Sequence, residues 1–207
     1  MGTDTDRKKG DRLMRSAELR RQTGETDIYC WMDLDDPDGT CSVATGVGFF
    51  DHMLQLLAFH SGFGLIVKAD GDLDVDDHHT IEDIGIVLGQ LFREVLGDRR
   101  GIARYGSFQL PMDETLANVT LDISGRPYLV YNCSLSRDSI GTFSCEMLEE
   151  FLRAFAFNAG ITLHVNVCYG TNDHHKIEAV FKALGRALKA AVKIEGDAVP
   201  SSKGVLE

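Results

Sequence analysis

The chain contains an internal duplication. Residues 77–91 read DHHTIEDIGIVLGQL and residues 173–187 read DHHKIEAVFKALGRA, so that the Asp, both His, the Ile, the Glu, the Leu and the Gly coincide. Upstream, residues 58–65 align with residues 156–163, and the spacers that follow differ by two residues. A period of about one hundred residues is far too long for a solenoid repeat. We therefore expect two similar halves related by a pseudo-twofold axis.

Each half is predicted to run in the order strands, helix, strand, helix. A turn-like cluster at 35–39 indicates that residues 40–44 close a hairpin with the strand at 26–34. Asp77 is a candidate N-cap and Gly62 a candidate C-cap. The remaining predicted strands are 65–69, 105–110, 115–123, 128–133 and 162–168, and the predicted helices are 51–60, 77–96, 145–158 and 174–193. This order predicts an α+β fold of two sheet-plus-two-helix units, each sheet covered on one face by helices.

Composition narrows the class of protein. A chain of 207 residues can bury a sizeable core, and its net charge of −11 argues against nucleic-acid binding. No apolar run approaches the roughly 18 residues that a membrane span needs. Five cysteines without CxxC spacing are typical of reduced thiols in a cytoplasmic protein. The expected divisions are a disordered lead-in (1–12), a first half (13–98), a second half (99–196) and a C-terminal tail (197–207).

Two matched clusters of histidine and carboxylate indicate metal binding. His78 and Glu82 are four residues apart on a predicted helix, so both lie on one face and can chelate one ion. His79 is rotated by about 100° and must reach another ion. The same spacing recurs in His174, His175 and Glu178. Imidazole and carboxylate without thiolate suit Mn, Fe, Co or Zn, and a Cys-rich structural zinc site is excluded.

The duplication adds two candidate ligands. His52 lies 26 residues before His78, and Glu150 lies 24 residues before His174, which makes the two positions equivalent by alignment. His60 and His164 have no such support from the repeat. They are either substrate-lining residues or ordinary hydrogen-bonded histidines.

With these motifs in place, the sequence resembles the imidazoleglycerol-phosphate dehydratase family from about Arg20 to Leu206. The matching segments are Glu25-Thr26, GFFDHML (48–54), DDHHTIEDIG (76–85), RYGSFQLPMDE (104–114), SGRPYLV (124–130), NDHHKIEAVFKALGRAL (172–188) and PSSKG (200–204). The resemblance implies two alike halves and a hollow homo-oligomer of 24 subunits. Its active sites would lie between subunits and hold two Mn²⁺ ions each.

The resemblance also implies a ligand set for each ion. One ion would take His52, His79, His174 and Glu178. The other would take His78, Glu82, His175 and the residue at position 150. Many family members carry His at that last position, whereas this chain has Glu150, whose carboxylate is also a suitable Mn ligand.

The implied reaction removes water from imidazole glycerol phosphate to give imidazole acetol phosphate in histidine biosynthesis. The C–H bond that breaks is not activated by a carbonyl, so the imidazole ring would take up the electrons as a metal-stabilised imidazolate. A carboxylate must move the protons. Glu25 is the candidate implied for this role, with Glu82 and Glu178 as further candidates.

The substrate's phosphate requires cations from an acidic chain. The resemblance implies phosphate contacts from Arg104, Arg126, Lys182 and Lys203, with Ser201 and Ser202 as hydroxyl donors. Lys182 follows Glu178 by one helical turn and should face the same site. Glu25, His52 and His60 are further candidates for substrate binding.

Two other functions would use the same clusters. A two-metal hydrolase would attack a phosphate ester and would release phosphate, with metals about 3.5–4 Å apart. A metal-storage shell would keep the ligands but would have no need for Arg104, Arg126 and Lys203. Neutral substitutions of these three cations would therefore leave storage intact and abolish dehydration.

Overall fold

The structure is a computed structural model that describes residues 15–204 and residue 206. The lead-in predicted at 1–12 lies outside the described residues. The described part of the chain forms four helices, and the strands build two four-stranded sheets and one short hairpin. The helices are α1 (Gly48–Ser61), α2 (His78–Leu96), α3 (Met147–Ala159) and α4 (Asp173–Ala191). The strands are β1 (Ser16–Gln22), β2 (Thr26–Asp33), β3 (Cys41–Ala44), β4 (Gly64–Gly71), β5 (Tyr105–Met112), β6 (Thr115–Asp122), β7 (Tyr128–Asn132), β8 (Ser139–Ile140), β9 (Phe143–Ser144) and β10 (Thr162–Tyr169).

The two large sheets have the same topology. The first has the order β1-β2-β4-β3 and the second the order β5-β6-β10-β7. In each sheet the first three strands are antiparallel, and the last strand is parallel to its neighbour. Helices α1 and α3, and likewise α2 and α4, therefore occupy equivalent positions. The predicted fold class is confirmed.

The predicted hairpin between residues 26–34 and 40–44 is wrong. Strand β3 pairs in parallel with β4, while β2 has antiparallel partners on its two edges, β1 and β4. The Asp36 carboxylate accepts hydrogen bonds from the backbone N–H groups of Asp38 and Thr40 and so closes the intervening turn. Strand β1 (SAELRRQ) was not predicted, because its charged residues give little of the apolar alternation by which strands are recognised.

The helices of the two halves share one core. Strand β2 alternates buried and partly exposed residues, so one face of its sheet is covered by α2. Helix α2 packs on α3 and α1 packs on α4, which joins the halves. Gly89 and Gly185 occupy equivalent positions in the repeat. A Cβ atom at Gly89 would collide with the carbonyl oxygen of Phe155 on α3, and one at Gly185 with that of Leu57 on α1. The repeated glycine thus permits the same close helix contact twice.

All four helices begin at the same side of the molecule. The Phe49 ring at the start of α1 contacts the His174 ring at the start of α4, with ring centroids 4.9 Å apart. Ser144, just before α3, donates hydrogen bonds to Asp77, just before α2. Phe49 also contacts Phe143, which joins the two helix pairs. We call the side where the helices begin the N-end face and the side where they finish the C-end face.

Candidate active site

The two His–Glu pairs that the sequence predicts to chelate metal both lie on the N-end face. The His78 Nε2 atom lies 3.7 Å from Glu82 Oε2 on α2, and the His174 Nε2 atom lies 3.1 Å from Glu178 Oε2 on α4. In both pairs the side chains project from one helix face, as the four-residue spacing predicts.

The surroundings of the two pairs differ. Only 9% of the Glu178 side chain is exposed, compared with 43% for Glu82. Burial alone would raise the pKa of Glu178, but hydrogen bonds and charge from Lys182 and His174 outweigh it and lower that pKa. Lys182 Nζ lies 2.6 Å from Glu178 Oε1. This contact confirms that Lys182 lies beside Glu178.

His79, the outlying imidazole of the first cluster, is held by a carboxylate of its own half. Its Nδ1 atom lies 2.9 Å from Asp72 Oδ2, just beyond the end of β4. The hydrogen bond that His79 donates to Asp72 raises the pKa of His79. Partial burial opposes this rise, and the negative charge of Glu25 adds to it. Glu25 lies on the other side of the ring, with its Oε1 atom 3.8 Å from Nε2.

His175, the outlying imidazole of the second cluster, is held in the same way by a different residue. Its Nδ1 atom lies 2.7 Å from Glu114 Oε2, in the turn between β5 and β6. The other oxygen of Glu114 accepts from the backbone N–H groups of Thr171 (3.1 Å) and Asn172 (2.8 Å). The His175 hydrogen bond first, and then these backbone N–H groups, lower the pKa of Glu114.

Glu25 occupies a fixed turn but keeps an accessible carboxylate. Its backbone N–H donates to Thr23 Oγ1 (3.1 Å), and the Thr26 hydroxyl donates to the buried Asp83 (2.6 Å). The Glu25 side chain itself is 56% exposed. The turn therefore presents a carboxylate beside His79 while its backbone is held in place.

Asp77 and Asp173, which open the two Asp-His-His triplets, are buried anchors for the segment 134–144. The Asp77 carboxylate accepts from the backbone N–H and hydroxyl of Ser144. Asp173 accepts from the backbone N–H groups of Ser136 and Arg137 and from Lys176 Nζ. The prediction that the Asp77 side chain caps α2 is wrong, because its oxygens bond to Ser144 instead of to the N–H groups of its own helix.

The candidate phosphate-binding residues, apart from Lys182, lie on the C-end face. Arg104 precedes β5, and its backbone N–H donates to the carbonyl of Ala191, the last residue of α4. Its guanidinium forms two hydrogen bonds with Asp122 (2.6 and 3.0 Å) and one with the carbonyl of Pro200 (2.9 Å). Arg104 thereby holds the tail segment that carries Ser201, Ser202 and Lys203. Arg126 is exposed in the loop that follows β6.

The remaining candidates occupy helix surfaces. His52 is exposed on α1 and lines a shallow pocket with Cys41 and Phe59. Glu150, in the first turn of α3, lines a separate pocket with Tyr131 and Cys133. His60 lies on the face of α1 that packs on α4; burial first, then the charges of Lys182 and Arg186, lower the pKa of His60. The five cysteines, all in the described part of the chain, are free thiols, as predicted.

The donor chemistry of the N-end face fits a divalent ion. Among residues 15–204 and 206, no three His, Cys, Asp or Glu side chains converge to hold a metal. The N-end face instead offers two chelating pairs and two outlying imidazoles. Their nitrogen and oxygen donors match the preferences of Mn, Fe, Co and Zn.

Comparison with known proteins shows the family. A family model described as "Imidazoleglycerol-phosphate dehydratase" matches residues 45–188. A protein of that name from Caldanaerobacter subterraneus subsp. tengcongensis is 54% identical over 195 residues, which cover 93% of this chain and 100% of the relative. One from Azorhizobium caulinodans is 56% identical over 196 residues, covering 93% and 99%. The chain belongs to the imidazoleglycerol-phosphate dehydratase family.

Solved structures agree with this assignment. The imidazoleglycerol-phosphate dehydratase of Staphylococcus aureus matches with a TM-score of 0.79 and 46% identity, over 86% of this chain and 99% of the other. The Pyrococcus furiosus enzyme, solved in complex with (S)-C348, matches with a TM-score of 0.78 and 38% identity, over 91% and 100%. The chain is thus a hydro-lyase of histidine biosynthesis that acts on a small molecule. No helix among the described residues could cross a membrane.

Four carboxylates at this imidazoleglycerol-phosphate dehydratase site were missed from the sequence or given another role. They are Asp72, Asp77, Glu114 and Asp173. The signal for Glu114 was present, because Glu25-Thr26 and Glu114-Thr115 open the equivalent strands β2 and β6. Extending the repeat alignment upstream would have paired Glu114 with Glu25. Asp72 has no counterpart at the end of β10, and only the structure reveals its contact with His79.

Proposed function

We propose that this hydro-lyase dehydrates imidazole glycerol phosphate to imidazole acetol phosphate at sites that hold two Mn²⁺ ions between subunits. The observation that carries this proposal is the pair of equivalent His–Glu chelates at the starts of α2 and α4. When bound, the ions would supply Lewis-acid stabilisation of the negative charge that develops on the imidazole ring of the substrate.

The residues proposed to hold the ions fall into two sets. His52, His79, His174 and Glu178 would serve one ion, and His78, Glu82, His175 and Glu150 the other. Each set combines a chelating pair from one helix with single donors from elsewhere. Because three donors do not converge within the described part of one chain, neighbouring subunits would supply the missing ones.

Glu25 is the proposed proton-transfer residue. Its carboxylate is accessible and lies 3.8 Å from His79 Nε2, so it borders the place where a bound ring would sit. Glu178 is engaged by Lys182 and His174, which favours the charged carboxylate and makes it less available to accept a proton. Glu82, in a chelating pair with His78, would be occupied as a ligand.

The placement of the cations supports sites shared between subunits. Arg104 lies at the end of α4, whereas His174 and His175 lie at its start, and a 19-residue helix spans roughly 27 Å at 1.5 Å per residue. A small phosphorylated substrate is much shorter than this separation. We propose that the N-end faces that share the ions meet the C-end face of a further subunit, whose Arg104, Arg126, Ser201, Ser202 and Lys203 bind the phosphate. Lys182, beside Glu178, would bind it from the metal side.

The assembly would contain 24 subunits and would work in the cytoplasm. Two different faces of one chain can bind each other in a head-to-tail contact. When the rotation between neighbouring copies adds up to a full turn, such contacts give a closed assembly. If the ions bridge subunits, chelation should break the particle into smaller species on size-exclusion chromatography. A particle of unchanged size after complete metal removal would contradict metal-bridged assembly.

Turnover of imidazole glycerol phosphate tests the proposed function. Purified protein loaded with Mn²⁺ should form the acetol product, and a chelated control should not. Release of inorganic phosphate would instead support a two-metal hydrolase. Mn²⁺ binding that is unaffected by neutral substitution of Arg104, Arg126 and Lys203, in a protein without turnover, would support metal storage.

A further inference from the structure

Each outlying histidine has one ring nitrogen engaged by a carboxylate and the other nitrogen directed away from it. In His79 and in His175 the engaged atom is Nδ1, at 2.9 Å from Asp72 and 2.7 Å from Glu114. An ionised carboxylate only accepts hydrogen bonds, so Nδ1 must carry the proton. In the neutral ring, Nε2 is then the free acceptor.

The two carboxylates reach the same ring atom from different places in the fold. Asp72 follows β4, whereas Glu114 lies in the β5–β6 turn, at the position equivalent to Glu25 in the first half. Asp72 and Glu114 are not equivalent positions in the repeat. The two Nδ1–carboxylate contacts are therefore not explained by the duplication alone. Asp72 Oδ2 is the atom that contacts His79, and Oδ1 is buried without a hydrogen-bond partner among the described residues.

We propose that Asp72 and Glu114 are positioning residues that fix the Nδ1–H tautomer of His79 and His175, so that Nε2 of each ring is the metal-binding atom. This inference rests on the proposed metal site. Hydrogen-bonded carboxylates of this kind orient a ligating imidazole and raise its basicity, and their loss typically weakens metal affinity by about 10–100-fold.

Glu114→Gln is the most informative variant. The glutamine side chain keeps one carbonyl oxygen. This oxygen can still accept the hydrogen bonds that the backbone N–H groups of Thr171 and Asn172 donate to Glu114 in the parent. The amide nitrogen would then face His175 Nδ1 and donate to it. The ring would take the Nε2–H tautomer, which blocks Nε2 while leaving the turn intact.

The test measures the Mn²⁺ affinity of the metal-stripped protein as it is reloaded with Mn²⁺, by electron paramagnetic resonance and without substrate. Glu114→Gln and Asp72→Ala should each weaken binding by about 10–100-fold. Thermal unfolding of the metal-free variants should match the parent, which separates positioning from a structural role. Histidine-labelled protein should show loss of the Nδ1–H signal of His175 in Glu114→Gln by ¹⁵N NMR.

Two charge-matched controls complete the design. Asp113→Asn removes one negative charge from the other side of the same ring, where Asp113 Oδ2 lies 3.8 Å from His175 Nε2, and it leaves the contact between Nδ1 and Glu114 intact. Asn tolerates the positive φ of 46° at this position. Asp74→Asn removes one negative charge at an exposed loop position two residues after Asp72, and it leaves the Asp72 carboxylate in place. The controls should change Mn²⁺ affinity by less than about threefold, well below the loss expected of the test variants.

Several results would overturn the proposal. Parent-like Mn²⁺ affinity in both test variants would show that neither carboxylate positions its ring. An equal loss in the controls would show a general effect of charge. Absence of Mn²⁺ binding by the parent protein itself would refute the metal site and the positioning role together, whereas failure of the variants alone leaves the proposed function in place.

Discussion

The starts of α2 and α4 carry the same sequence pattern in different surroundings. In the first half, Glu25 lies near His79 Nε2 with an accessible carboxylate, and Asp72 takes Nδ1. In the second half, the equivalent Glu114 is committed to His175 Nδ1 and to two backbone N–H groups. Glu178 is buried against Lys182, whereas Glu82 is open. The duplication therefore repeats the two histidines and the helix glutamate but not the carboxylates around them. Near Nε2 of the outlying imidazole, the second half has the exposed Asp113, 3.8 Å from His175, where the first half has Glu25.

The largest expected effect is a loss of kcat on substitution of Glu25, the residue equivalent to Glu114. Glu25→Gln should lower kcat by about 10²–10⁴-fold, because general acid–base catalysis contributes this much. Its Mn²⁺ affinity should stay within about threefold of the parent, since the amide leaves the proposed ligands unchanged. Steady-state kinetics at saturating Mn²⁺ would check this. A kcat within about tenfold of the parent would assign proton transfer to another group.

The two buried anchors should differ in stability. Asp173→Ala should destabilise the metal-free protein by about 3–5 kcal/mol, because it leaves the buried Lys176 without its ion-pair partner. Asp77→Ala should cost about 1–3 kcal/mol, since only neutral donors of Ser144 lose their acceptor. Urea unfolding at one protomer concentration measures both. Equal losses would mean that Lys176 finds another partner.

Lys182 should brace only the second chelating pair. Lys182→Met would leave the buried Glu178 without its 2.6 Å partner, so the pKa of Glu178 should rise. Mn²⁺ binding should then weaken more steeply as pH falls than in the parent, because protons compete with the metal. Arg186→Met, one turn further along α4 and exposed, is the matched control. Parallel pH profiles for the two variants would contradict this role.

The smallest expected effect concerns His60. Its lowered pKa in the folded state means that the unfolded chain binds more protons in mild acid. Its contribution to stability is therefore complete above pH of about 6.5 and declines as pH falls below that value. His60→Gln should flatten the loss of stability between pH 7 and 5 in the metal-free protein. A slope in His60→Gln equal to that of the parent would show that the burial of His60 does not contribute to the pH dependence of stability.

Much of the fold, and the position of each His–Glu pair on one helix face, could be predicted from local pattern. The four-residue spacing of His174 and Glu178 fixes their common helix face, and the repeat gives two equivalent units. Strand pairing could not be predicted in the same way, because β3 joins β4 through contacts distant in sequence. The roles of Asp72 and Asp173 were hidden for the same reason. Each is defined by a tertiary partner, His79 for Asp72 and the segment around Ser136 for Asp173, and neither partner is indicated by the neighbouring sequence.

The central claim is that each active site joins the N-end face of one subunit to the C-end face of another. Co-expression of His174→Ala chains with Arg126→Ala/Lys203→Ala chains, followed by purification through two different tags, tests it directly. Each variant alone should be inactive, while hybrid particles should regain part of the parental dehydratase activity, because some sites receive both intact faces. Hybrid particles that contain both chains and Mn²⁺ but show no turnover would contradict the account.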